Sequence, residues 1–90
     1  MKILLSPIRA DWAVEYIYGA DTITAVIDEM SDTFDFSGMP NGQANDITTT
    51  LPRNPVVFVE RTDGILSVVL LNPIGPDATE EEKFPEWLEV

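Results

Sequence analysis

The chain has 90 residues, 44% of them hydrophobic, with neither cysteine nor histidine. That length allows one domain at most, residues 1–90, and a chain this small buries only about 60–65% of its unfolded surface. The formal charge of −11, from 16 acidic against 5 basic groups, argues against nucleic-acid phosphates and anionic membranes as direct partners.

Without cysteine no disulfide or thiolate metal site can reinforce the core. The fold must rest on packing, and self-association as a homodimer is a further source of burial. The opening MKILLSPIR has too short an apolar run for a secretory signal, and no stretch approaches the ~18 apolar residues of a membrane span. A cytoplasmic location is expected. Residues 10–52 contain no cation, so a basic protein is the partner type that charge favours, although acidic surfaces also serve solubility.

Short alternating runs between turn residues predict a mainly β fold: a small antiparallel sheet, sandwich or partly open barrel of about five to six strands. Residues 2–5 start a strand that Pro7 places at an edge or ends. Trp12, Val14, Tyr16 and Tyr18 share one face of a second. Gly19-Ala20-Asp21 reads as a turn, followed by the β-branched strand 22–27. A polar turn over 28–32 then leads to Phe34 and Phe36, which stand together opposite Asp35. These pieces form a three-stranded meander.

Residues 37–55, rich in glycine, proline and asparagine, read as a long loop in which ITTT is a short extended piece. The loop is also where the chain can cross between sheets. PVVFVERTDGILSVVLLNP follows as two apolar strands joined at Asp63-Gly64, a strong hairpin signal. Simple alternation sets Val57 and Val59 opposite Val56 and Phe58. It sets Leu66, Val68 and Leu70 against Ile65, Val69 and Leu71. With both faces apolar, the hairpin should be central and covered on two sides, or covered by a neighbouring subunit. DATEEEKF then offers a capping pair, Asp77 or Thr79 with a glutamate three positions on, for one short C-terminal helical turn that Pro85 stops.

The residue types exclude much chemistry. Histidine-assisted nucleophiles, thiol catalysis and the usual zinc sites are unavailable. No phosphate loop or dinucleotide glycine pattern is present. Asp35-Phe36-Ser37-Gly38 is not the Asp-Ser/Thr-Gly of an aspartic protease. Asp28, Glu29 and Asp32 cluster without the spacing or central glycine of a calcium loop. Carboxylate pairs could in principle serve a hydrolase, but 16 acids in 90 residues produce such pairs by chance. Trp12, Tyr16, Tyr18, Phe34 and Phe36 could form a platform for sugar or peptide, yet a small domain needs its aromatics for burial. No catalytic residue, cofactor or metal is expected.

The closing half, VVFVERTDGILSVVLLNPIGPDATEEEKFPEWLEV, with DTFDFSGMPNG upstream, resembles small bacteriophage and prophage proteins encoded near tail and tail-fibre genes. The resemblance rests on the apolar hairpin with DG, then NPIGPDA, then EEEKFP. It carries over no functional residues. It implies a bacterial host cytoplasm, or association with the virion, and a role in tail or tail-fibre assembly as a non-catalytic interaction module or minor structural component. The alternative is an acidic inhibitor or DNA mimic aimed at a basic host protein.

The last residues, EEEKFPEWLEV, are the expected partner-binding piece, with Phe84, Trp87 and Leu88 as its residues and 84–90 a loose acidic-aromatic tail. Phe84 and Trp87, three apart around Pro85, should lean on one surface. Phe84 is expected to pack against the sheet, while 87–90 attach loosely.

Overall fold

A computed structural model describes residues 1–44 and 47–90, so Asn45 and Asp46 of the long loop lie outside the described residues. The strands in chain order are β1 (Lys2–Arg9), β2 (Glu15–Tyr18), β3 (Thr22–Ile27), β4 (Met30–Asp35), β5 (Gly42–Gln43), β6 (Val56–Thr62), β7 (Ile65–Ile74) and β8 (Leu88–Glu89). One short helix, α1 (Glu80–Lys83), precedes β8. Strands β2-β3-β4 form a three-stranded sheet, and β5-β6-β7-β1-β8 form a five-stranded one. The fold is therefore mainly β, with two sheets and no closed barrel.

Alternation along the strands gives each sheet an apolar inner face. Ile23, Ala25, Ile27 and Phe34 come from the small sheet and Ile3, Val59, Leu66, Val68 and Leu70 from the large one, and they form a single buried cluster. In β2, Tyr16 and Tyr18 turn inward, with Trp12 and Val14 ahead of them in the same phase, while Glu15 and Ile17 face solvent. The meander is antiparallel throughout. Its second turn is tighter than the expected 28–32: only Asp28 and Glu29 lie between Ile27 and Met30, both at positive φ. A two-residue hairpin loop of this kind matches the strand twist. Here it forms without the usual asparagine or glycine.

The expectation of an antiparallel fold fails at one place. β1 pairs in parallel with β7, from Lys2 opposite Ser67 to Arg9 opposite Ile74. Nor does Pro7 end β1, which continues to Arg9. β8 pairs only with Lys2 and Ile3, so beyond Ile3 the outer side of β1 has no neighbouring strand among the described residues. Proline is tolerated at such an edge.

The β6–β7 hairpin is closed by Asp63 and Gly64, both at positive φ, the conformation glycine adopts without steric cost. Its expected facing is corrected by a bulge. Val56 opposes Leu70 and Phe58 opposes Val69, which leaves Val57 as the extra residue. After that slip Val56 and Val59 both point into the core, and Val57 is 54% exposed. Covering is one-sided. Leu66, Val68 and Leu70 are buried, whereas Val69 and Leu71 are half-buried and Ile65 is exposed on the other face.

The crossing segment 37–55 links the two sheets, as expected, and is partly built into the fold. β5 pairs with β6 and Leu51 joins the core. The ITTT piece is not a strand. It is held by Asp32, whose carboxylate accepts hydrogen bonds from the Thr49 hydroxyl (2.8 Å) and the Thr50 amide (3.1 Å). The Arg53 guanidinium lies 5.1 Å from the centre of the Trp12 ring, within cation–π range.

Candidate functional site

The sequence-predicted partner residues lie on a ledge made by α1 and β8. The helix forms because Thr79 caps it: its hydroxyl accepts from the Glu82 amide, and the Glu82 carboxylate accepts from the Thr79 amide. Glu80, Glu81 and Glu82 occupy the first turn and Lys83 the last, the order that complements the helix dipole. Phe84 is the C-cap residue, and Pro85 prevents another turn.

Beyond Pro85 the chain is not a loose tail. Leu88 and Glu89 pair with Ile3 and Lys2. The Val90 amide donates to the Met1 carbonyl at 2.9 Å, and the Met1 ammonium donates to the Val90 carbonyl at 3.2 Å. The β8 end of the ledge is thus fixed to β1, whereas the cap closes α1 on itself and the helix buries no residue.

Nor does Phe84 pack against the sheet. It is 71% exposed, because a cavity of about 540 Å³ separates it from β1, with Leu5 and Leu88 on the other walls. Trp87 does not join it. Successive residues of an extended segment point to opposite sides, so Trp87 and Glu89 line a second cavity of about 410 Å³ with Lys2 and Ser67. Phe84 lines the first cavity and Trp87 the second, and Leu88 borders both. Glu81, Glu82 and Glu86 rim the Phe84 cavity, so the site combines apolar walls with negative charge. Such a surface suits an apolar side chain flanked by cations.

Sequence reasoning missed two features. The first is Arg61, which opposes Leu66 and shares its inward face. Its guanidinium donates to the Phe36 carbonyl at 2.7 Å and the Gly64 carbonyl at 3.1 Å, and lies 3.5 Å from the Asp21 carboxylate. Arg61 therefore ties the hairpin to the open end of the β3–β4 pair, where Asp21 leads into β3 and Phe36 follows β4. Its Nε is buried and, among the described residues, has no acceptor. The position of Arg61 two residues before the Asp63-Gly64 turn was the only available signal.

The second is a cleft of about 560 Å³ between β4 and the crossing segment. Its apolar lining includes Phe34 and Phe36, whose rings stack 6.5 Å apart. Asp32 and Asp35 stand on its polar side. The carboxyl of Asp32 is held below its ordinary range by the Thr49 and Thr50 hydrogen bonds, and that of Asp35 by the Ser37 amide at 2.9 Å. Both are ionised at neutral pH.

The remaining candidates serve the fold. Tyr16 hydrogen-bonds through its hydroxyl to the Leu71 carbonyl, bridging the sheets, and burial raises its pKa, with a smaller contribution from Tyr18. Asp28 and Glu29 form the tight turn. Asp35 closes a local turn with Ser37. Among the described residues no group of three or more carboxylates is placed to hold a metal ion, and no helix is long and apolar enough to cross a membrane. Compared with protein-family models, curated proteins and solved structures, the chain matches none.

Proposed function

We propose that the protein is a non-catalytic interaction module that docks a basic protein segment on the α1–β8 ledge. One observation carries the reading: Phe84 stands 71% exposed beside Leu88 and three glutamates, next to a strand paired with β1. A large exposed aromatic beside apolar walls is the kind of residue that anchors interfaces. The excess of 11 negative charges steers cationic partners toward the molecule.

The resemblance to phage and prophage proteins directs the search to tail and tail-fibre components, whose assembly this module would serve in a host cytoplasm or in the virion. Co-expression with such proteins followed by co-elution is the test. The reading expects a complex that Phe84→Ala weakens, and a stable monomer that joins none of them would overturn it. Self-association through the exposed Val57 and Ile65 face is a separate expectation, answered by the mass in solution.

The DNA-mimic alternative requires carboxylates gathered on one face. Glu15 lies on the outer face of the small sheet, and Glu60 and Glu89 on the outer face of the large one. No observation favours it.

A further inference from the structure

Among the described residues the small sheet ends at β4, and the open edge of that strand is unusually well furnished. Hydrogen bonding alternates along an antiparallel strand, one residue turning its backbone to one neighbour and the next to the other. The Phe36 amide donates to the Asp21 carbonyl at 2.9 Å, so Asp32, Phe34 and Phe36 turn their backbone groups toward β3. Thr33 and Asp35 turn theirs to the open side. The cleft beside β4 runs along those two residues, over Phe34, Phe36, Met39 and Ile47. Its volume falls within the range of ligand-binding clefts.

An unpaired strand edge is a template for another strand, and proteins blunt it with lysine or other charges, proline, a bulge or a covering loop. At β4 the charges are both acidic, and the crossing segment is held through the Asp32 side chain with the cleft still running beside Thr33 and Asp35. β4 reads MSDTFD and contains no lysine or proline, and its register with β3 is unbroken. Among the described residues, the cleft lining contains two carboxylates and no cation. Its occupant should therefore be extended, apolar on the side facing Phe34 and Phe36, and cationic where it passes Asp35.

We propose that the open edge of β4 accepts an extended, lysine- or arginine-bearing segment of a partner protein as a fourth strand of the small sheet. Backbone hydrogen bonds to Thr33 and Asp35 supply the pairing, the apolar floor takes alternate side chains, and the carboxylates select for cations. This is strand addition to an exposed sheet edge. It concerns a surface other than the α1–β8 ledge, so either reading can fail alone.

The test uses the full chain and a short fluorescein-labelled peptide of alternating lysine and valine, read by anisotropy and by amide chemical shifts. Two control peptides accompany it. One has glutamate in place of lysine; the other keeps lysine and valine but carries N-methyl groups that remove its backbone donors. The lysine–valine peptide is expected to bind and to shift the amides of Thr33 and Asp35. Both controls should bind at least about tenfold more weakly.

Thr33→Pro removes an edge donor, together with the Thr33–Thr24 hydroxyl bond, and should abolish binding while the amide shifts of β2 and β3 stay native. If that variant does not fold, Asp35→Lys, at an exposed position, should reverse the preference toward the glutamate peptide. Equal binding of the N-methylated peptide would show adhesion by charge alone and overturn the proposal. So would shifts confined to α1 and β8, or no binding by any peptide.

Discussion

Replacing Arg61 with methionine keeps most of the side-chain length and removes the guanidinium that joins the hairpin to the β3–β4 pair. The 2.7 Å bond to the Phe36 carbonyl is part-buried, and hydrogen bonds to charged groups contribute roughly 1.5–3 kcal/mol. The Gly64 bond is exposed and adds little. The Asp21 pair is 3.5 Å long with Asp21 36% exposed, which limits it to about 0–1 kcal/mol. Against these losses, methionine relieves the unpartnered buried Nε, a donor whose burial costs about 1–3 kcal/mol. The balance is a loss of about 1–2 kcal/mol, because the Phe36 carbonyl is also left without its partner. For a domain of this size that lowers the melting temperature by roughly 4–16 °C. Urea unfolding followed by the fluorescence of Trp12 and Trp87 measures the change, with an unaltered m-value. Asp21→Asn serves as the control and should cost under about 1 kcal/mol. If Asp21→Asn costs as much as Arg61→Met, the surface ion pair rather than the buried carbonyl contact holds the sheets together, and the reasoning fails.

Three further outcomes are expected. Val57→Ser should change stability by less than about 0.5 kcal/mol, as surface substitutions do, while Val59→Ala should cost about 2 kcal/mol as a core truncation; equal costs in urea unfolding would contradict the bulge. Burial raises the pKa of Tyr16 above its ordinary 10.0, so the unfolded chain releases that proton first. Stability should be intact below pH about 10 and fall as pH rises further, with a shallower fall in Tyr16→Phe; Tyr18, also raised by burial, supplies the remainder. Asp32 is held below its ordinary 3.8 by Thr49 and Thr50, so its contribution is present above that value and lost on acidification. Asp32→Asn should speed amide exchange and proteolysis in the crossing segment at neutral pH, and unchanged rates would refute its anchoring role.

Local chemistry was legible in the residues. Alternation from Trp12 to Tyr18 reported an inward aromatic face because only one side of β2 is buried. Asp63-Gly64 reported its turn because few residues other than glycine adopt positive φ without cost. Thr79 and Glu82 reported the helix start because both partners of the cap lie within one turn. What was illegible depended on distant partners. The parallel pairing of Lys2 with Ser67 is set across most of the chain, and no local pattern encodes it. Two adjacent valines at 56 and 57 carry no mark of which one the ladder skips. Phe84 reads as core by its type, but β8 occupies the edge of β1 and leaves a cavity between Phe84 and the sheet. Arg61 reads as an ordinary surface cation until its inward register is known.

The central claim is that the α1–β8 ledge is a docking surface, and one measurement addresses it most directly. The full chain and its Phe84→Ala variant are compared for co-elution with phage tail and tail-fibre proteins, with melting temperatures recorded alongside. Because Phe84 is largely exposed, the substitution should leave the melting temperature within a degree or two, while weakening the complex by about tenfold or more, as loss of an aromatic anchor does. A complex of undiminished affinity, or a lowered melting temperature with binding intact, would contradict the assignment of Phe84 to an interface.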